Sequence, residues 1–301
     1  MAARRFIIDT DVGVDDSVAV MLALSSSNIE IVAITTVSGN TCEDNVYRNV
    51  KEVLRVCQKQ IPIYRGAKRP LINEPFYVPQ YHGHDGLRDY WDTHTDQYFP
   101  EVTNEKAANA IIRLVSEDPS IGIICLGPLT NLAIAYTLEE NLKFSAVEIM
   151  GGTIDAIGNV SYLSEFNIFA DPEAAHIVFE RTTNLVMTPW ETTIIPDLTI
   201  THELYQKLIG GGPKSKFFED VYKEREYVCD ALAMAAAIDP SIITVMEEFP
   251  VVVELSGKYS RGFTAVLRDM ISKQQNLKKV RIIRNLDSKR FAQMLVDAIK
   301  D

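Results

Sequence analysis

Basic excess, paired cysteines, long apolar runs and internal repeats are all missing from this chain, and each absence removes a class of function. Its 301 residues carry 30 Lys and Arg against 41 Asp and Glu, a formal net charge of −11. That balance argues against nucleic acid or an acidic membrane face as partner, because both need a positive footprint. It suits a site that holds a cation and a neutral ligand. The four cysteines, Cys42, Cys57, Cys125 and Cys229, show no CxxC spacing, which argues against structural zinc. Cys57 and Cys125 lie in apolar runs and read as small core residues. No membrane span or signal peptide is visible, since Met1-Ala2-Ala3-Arg4-Arg5 leads straight into a short strand. A reducing cytoplasm is the expected compartment, and the sequon Asn159-Val160-Ser161 is accordingly expected to stay unmodified. There is no low-complexity linker, and one chain of this length can bury one large core. A single domain over 1–301 follows.

What is present is a rhythm. Strands read at Arg4–Asp9, Glu30–Val37, Ile61–Tyr64, Ile121–Leu126, Ala146–Met150 and Asn184–Met187. Helical patterns read at Asp15–Ser25, Glu43–Gln58, Asn104–Glu117, Leu129–Leu138 and Pro172–Arg181. This alternation predicts βαβ units: an α/β fold with an open, mostly parallel, twisted Rossmann-like sheet and helices on both faces. After Pro196 the pattern changes, with helices at Glu203–Ile209, Lys216–Glu226, Asp230–Ile238 and Ser288–Lys300. Short strands at Val251–Leu255, Thr264–Arg268 and Val280–Arg284 predict a small antiparallel extension near the C-terminus. Pro70–Pro100 and Gly210-Gly211-Gly212-Pro213 resist regular structure and are expected to act as lids or binding loops.

The densest chemistry is at Asp9-Thr10-Asp11-Val12-Gly13-Val14-Asp15-Asp16, four carboxylates in eight residues where a strand ends and a helix starts. Ligands bind at the carboxyl ends of strands in open α/β sheets. The helix dipole offsets only about 0.3–1 kcal/mol of repulsion for Asp15 and Asp16. A hard divalent cation with oxygen ligands offsets far more, and Ca²⁺ or Mg²⁺ fits.

Other pieces are weaker alone. Asp230 precedes an alanine-rich helix and reads first as an N-cap. Asp171-Pro172 reads as a cap with proline at the first helical position. Gly127-Pro128 turns the chain after a strand, leaving the Leu126 carbonyl free for a hard metal. Asn159, Glu165-Phe166-Asn167 and Asn40 lie in loops beyond strands, where they could bracket sugar hydroxyls or simply form turns.

Together, Asp9–Asp16, Ser38-Gly39-Asn40, His82-Gly83-His84-Asp85-Gly86-Leu87, Leu126–Asn131, Met150-Gly151-Gly152, Glu165-Phe166-Asn167 and Asp230 resemble the inosine–uridine-type nucleoside hydrolases. The resemblance implies that family's fold and hydrolysis of the N-glycosidic bond of ribonucleosides with one Ca²⁺. It implies metal ligation by Asp11, Asp16, Asp230 and the Leu126 carbonyl, with Asp11 also taking the proton of the attacking water. The family usually has threonine at the Leu126 position, but a main-chain ligand makes leucine tolerable. Asp15 and Asn167, with Asn40 nearby, would hold the ribose diol. Asn159 and Glu165 would bind the 5′-hydroxyl, beside Phe166, and Met150 would pack beside the ribose. Homodimers or homotetramers are common in the family.

Cys229 departs from the commonest pattern, because many members carry histidine immediately before the last metal aspartate; the resemblance is to the subgroup that carries cysteine there, so it still implies activity. A thiol with pKa near 8.5 is a poor general acid at neutral pH. The departing base must then be activated otherwise: by His82, by Tyr222 or Tyr227, or by stacking on Trp190. His82 is the expected catalytic assistant, because imidazole titrates near neutrality. Two rivals stand. Phe6–Asp11 also resembles the opening of haloacid-dehalogenase-type phosphatases, with Asp9 as nucleophile. Alternatively, the chain binds nucleosides without cleaving them.

Overall fold

The computed structural model describes residues 3–94, 103–223, 226–268 and 277–300. Strand β1 (Arg4–Thr10) is extended because Phe6, Ile7 and Ile8 bury on alternate faces. Phe6 and Ile8 enter one apolar layer and Ile7 the other, so both faces of the sheet are covered, as a parallel sheet requires. Helix α1 (Val14–Ser25) follows, then β2 (Ile29–Thr36), α2 (Glu43–Val56), β3 (Ile63–Arg65), α3 (Pro79–His82), α4 (Ala107–Glu117), β4 (Gly122–Cys125), α5 (Thr130–Leu138) and β5 (Val147–Met150). Beyond these come α6 (Phe166–Ala170), α7 (Pro172–Arg181), β6 (Leu185–Thr188), α8 (Trp190–Thr193), α9 (His202–Leu208), α10 (Pro213–Val221) and α11 (Cys229–Ile238). The last elements are β7 (Ile243–Val253), β8 (Thr264–Val266), β9 (Lys279–Leu286) and α12 (Ser288–Ile299).

The strands order as β3-β2-β1-β4-β5-β6-β9-β7-β8 in one sheet. β1 pairs in parallel with both β2 and β4. The chain therefore leaves β1 toward one edge and later returns to build toward the other, making a crevice at the carboxyl ends of β1 and β4. Helix α1 is apolar nearly all round, with Val18, Met21 and Leu22 buried, and it packs against α11. Burying each such side chain contributes about 1.5–3 kcal/mol. That packing brings the first turns of α1 and α11 together over the crevice.

The expected α/β class and both-face helices are present, with three differences. β9 pairs in parallel with β6 and antiparallel with β7, so only β7 and β8 form the antiparallel extension. β7 begins at Ile243 rather than Val251 because its first half is largely solvated and lacks an apolar signature. The helix expected at Lys216–Glu226 starts at Pro213, pre-set for a first turn, and ends at Val221; residues 224–225 lie outside the described ones. Of Pro70–Pro100, residues 95–100 likewise lie outside. Gly210–Pro213 does not line the main cavity; Gly211 lies beside Ser215 and Lys300 instead, which departs from the segment's expected role as a lid.

Candidate active site

The turn after β1 is built around carboxylates rather than around a conformational need for glycine. Gly13 has an ordinary φ of −99°. A Cβ there would sit 2.5 Å from His82 Nδ1 and 2.7 Å from Asn40 Nδ2, so glycine is required by close approach. Asp16 is fully buried and held at both oxygens. Thr10 Oγ1 donates to Oδ1 at 2.6 Å, while Gly13 N and Asn40 Nδ2 donate to Oδ2 at 2.9 and 3.0 Å. Asp11 accepts from the Asn40 backbone N–H at 2.7 Å through Oδ2, and its Oδ1 is buried with no partner. Hypothetical Cβ atoms on Gly39 and Gly127 would lie 2.0 and 2.5 Å from the Asp11 carboxylate. The two glycines thus form a cradle that only an absent side chain permits.

Asp230 is not the N-cap of α11. Val228 holds that place and Asp230 is inside the first turn, aimed at α1. One carboxylate oxygen each of Asp15, Asp16 and Asp230 lies within 4.8 Å of the others, and Asp16 is within hydrogen-bonding reach of Asp11. Asp15, by contrast, is already tied by backbone N–H groups, including that of Asp230, and by the Cys229 thiol. Two buried carboxylate oxygens of this turn are left without a partner, Asp11 Oδ1 and Asp9 Oδ2. Burial first, and repulsion from the neighbouring aspartates second, pushes Asp11 and Asp230 well above the ordinary carboxylate range; Asp15 rises to about 6, mainly through burial. Three buried aspartates and the half-buried Asp15, gathered around the unpartnered Asp11 Oδ1, fit a hard cation, which would relieve both causes.

Beside this cluster opens a cavity of about 670 Å³, within the range of small-ligand sites. Asp15, Asn40, Leu126, Met150, Asn159, Glu165, Phe166, Asn167, Cys229 and Asp230 line it, as do His82, Tyr222, Tyr227 and Trp190. Asp11 and Asp16 are sealed behind its floor. The Leu126 carbonyl is not free: Asn167 Nδ2 donates to it at 2.6 Å and to the Met150 carbonyl at 3.1 Å. Glu165 caps α6, accepting from Asn167 N and Gly152 N at 2.8 Å and Ile168 N at 3.2 Å. Burial still lifts it to about 7. Asp171 caps α7 as expected. Tyr222 is buried and its hydroxyl donates to the Tyr227 carbonyl at 2.8 Å, while the Tyr227 ring stands edge-on to Trp190.

His82 is in the cavity, but the ground given for its role fails. Val14 N–H donates to its Nδ1 at 3.2 Å, and burial lowers its pKa to about 4. It is a neutral imidazole near pH 7, protonated on Nε2. Cys229 is likewise held as a thiol by burial and by Asp15. The segment carrying His82 is pinned rather than loose. Asn49 Nδ2 donates to the Val12 and Asp85 carbonyls at 2.9 and 2.8 Å, and Trp91 Nε1 donates to Asn49 Oδ1 at 2.8 Å. Sequence reasoning missed Gln80, Tyr81, Arg88 and Glu226, which also line the cavity; no local motif marks them.

The model of the family described as "inosine-uridine preferring nucleoside hydrolase" matches residues 6–293. The chain belongs to that family. Its inosine-uridine preferring relative from Leishmania major is 32% identical over 99% of this chain and 98% of its own. The pyrimidine-specific ribonucleoside hydrolase RihA of Salmonella gallinarum is 30% identical, with 99% of each chain covered. A solved inosine-guanosine nucleoside hydrolase superposes with a TM-score of 0.88 at 29% identity, covering 98% of both chains. This nucleoside hydrolase is thus an enzyme of the class that cleaves N-glycosidic bonds. The phosphatase reading finds no support: Asp9, its would-be nucleophile, is fully buried, with Oδ1 bonded to Thr35 and Asn131. Among the described residues no helix is long and apolar enough to cross a membrane.

Proposed function

We propose that this hydrolase cleaves ribonucleosides to free base and ribose with one Ca²⁺ held by Asp11, Asp16, Asp230 and the Leu126 carbonyl. The observation that carries the reading is the orphaned Asp11 Oδ1, cradled by Gly39 and Gly127 among three further aspartates at the floor of the cavity. When bound, the ion supplies a fixed positive charge that orients water and the 2′,3′-diol and lowers the water pKa.

The protein groups do the rest. Asn167 spends Nδ2 on the Leu126 and Met150 carbonyls, which fixes its amide plane and turns its oxygen to a ribose hydroxyl. Asp15 lies on the cavity wall as the other acceptor for the diol, with Asn40 beside it. Glu165, locked by three N–H groups, offers a rigid acceptor for the 5′-hydroxyl with Asn159. As the C1′–N bond lengthens, the sugar becomes oxocarbenium-like, and the carboxylates below stabilise it. Asp11 takes the proton of the attacking water, placed rather than strongly activated. His82 contributes as a neutral Nε2–H donor to the base instead of as an acid. We further propose a cytoplasmic homodimer or homotetramer that binds small ribonucleosides and no nucleic acid.

The test is incubation with Ca²⁺ and a panel of inosine, guanosine, adenosine, uridine and cytidine, measuring reducing sugar. Release of ribose is expected. Nucleoside binding without ribose release would make the chain a binding protein instead.

A further inference from the structure

Arg88 sits in the cavity wall in a conformation that costs energy. Its φ is +59° and that of Asp89 is +61°, left-handed values that non-glycine residues seldom adopt and that persist only where surroundings impose them. The surroundings are specific. Arg88 N–H donates to the His82 carbonyl at 2.7 Å, and Asp85 accepts from the N–H groups of Leu87, Asp89 and Trp91 at 2.7 to 2.9 Å. The guanidinium is fixed as well. Nη2 donates to Glu226 Oε1 at 2.5 Å and Nε to the Tyr81 carbonyl at 3.4 Å. Nη1 is closed off from solvent and has no hydrogen-bond partner. The Arg88 side chain keeps 22% of its surface open where it lines the cavity, and a cationic donor left unmatched there is costly unless a ligand supplies its acceptor.

We propose that Arg88 recognises an oxo group on the departing base and stabilises the negative charge that develops there. The inference rests on the hydrolase reading above and adds its leaving-group chemistry. A guanidinium donates only and never deprotonates, so it matches the carbonyl of a 6-oxopurine or a 2,4-dioxopyrimidine and not an exocyclic amine. The balance needs no acid at neutral pH. The C1′–N bond breaks and its electron pair stays on the base, which leaves as an anion paired with Arg88 and later takes a proton from solvent. The water oxygen bonds C1′ and its proton passes to Asp11. Glu226 is a positioning residue, bridging the loop of His82 to the segment that enters α11.

The experiment compares Arg88→Met and Arg88→Lys with wild type on inosine, uridine, adenosine and 4-nitrophenyl β-D-ribofuranoside, whose phenolate leaves without help. Removing a donor aimed at developing charge costs about 100-fold in kcat. Arg88→Met is expected to lose that much on inosine and uridine, to keep 4-nitrophenyl riboside turnover within about threefold, and to lose any preference for inosine over adenosine. Arg88→Lys should fall between. Equal losses on nucleoside and phenyl riboside, or no loss on either, would overturn the inference. Wild-type protein that releases ribose from no ribonucleoside would instead remove the hydrolase reading beneath it.

Discussion

The backbone N–H of Asn40 donates to Asp11 Oδ2 at 2.7 Å, so the loop after β2 sets the orientation of a side chain that follows β1. The same residue reaches Asp16 with its amide. Two strands on one side of the sheet's crevice thereby fix two carboxylates, while α11, from the far end of the chain, brings Asp230.

That geometry leaves no room for a methyl group. Gly39→Ala places a Cβ 2.0 Å from Asp11 Oδ2, and Gly127→Ala places one 2.5 Å from Oδ1. Either variant is expected to keep its circular dichroism spectrum, to bind Ca²⁺ at least about tenfold more weakly, and to lose kcat accordingly. Calorimetry and steady-state rates check this; full affinity in both variants would contradict the cradle.

How much of this was legible in the chain follows from where each signal resides. The acidic turn, Asn40, the Leu126 turn and Glu165–Asn167 are contiguous motifs at strand ends, so their spacing carries them. The cap reading of Asp230 failed because capping by sequence does not see that Val228 takes the cap position and that α1 packs opposite. Arg88 and Glu226 were invisible because they are 138 residues apart and meet only through tertiary packing. The neutral state of His82 was hidden for a related reason: its desolvation comes from the folded loop, not from its neighbours in sequence.

His82 should titrate far below neutrality. With Nδ1 accepting from Val14 N–H and the ring half-buried and desolvated, long-range ¹H–¹⁵N spectra are expected to show a neutral ring protonated on Nε2 from pH 5.5 to 8 (an interval set by the pKa of about 4). A His82 resonance titrating between about 6 and 7 would restore it as a general acid and displace the neutral donor role.

Glu148 in β5 offers a stability test away from the site. Burial lifts its pKa to about 7 from 4.5, with Arg281 and Arg4 only partly opposing. The folded state then holds a proton that the unfolded state releases, so stability falls as pH rises from about 4.5 toward 7 and stays reduced above it. Glu148→Gln is expected to be more stable than wild type by roughly 1–3 kcal/mol at pH 8 and nearly equal to it at pH 4.5. Urea melts at the two pH values decide the matter; a difference that does not change with pH would contradict the assigned cause.

Chelation should act on stability as well as rate. An ion that binds only the folded chain stabilises it by mass action, by about 2.7 kcal/mol at one hundred times its Kd. Dialysis against a chelator is expected to lower Tm and abolish ribose release, and Ca²⁺ should restore both. Hydrolysis that continues in excess chelator would contradict metal dependence.

The most direct measurement is the calorimetric titration of Ca²⁺ into wild-type protein, Asp11→Asn and Asp230→Asn. One ion per chain in wild type, with affinity weakened about 100-fold or more in each variant, is the predicted result. Equal affinity in all three proteins would show that these distant aspartates do not share an ion.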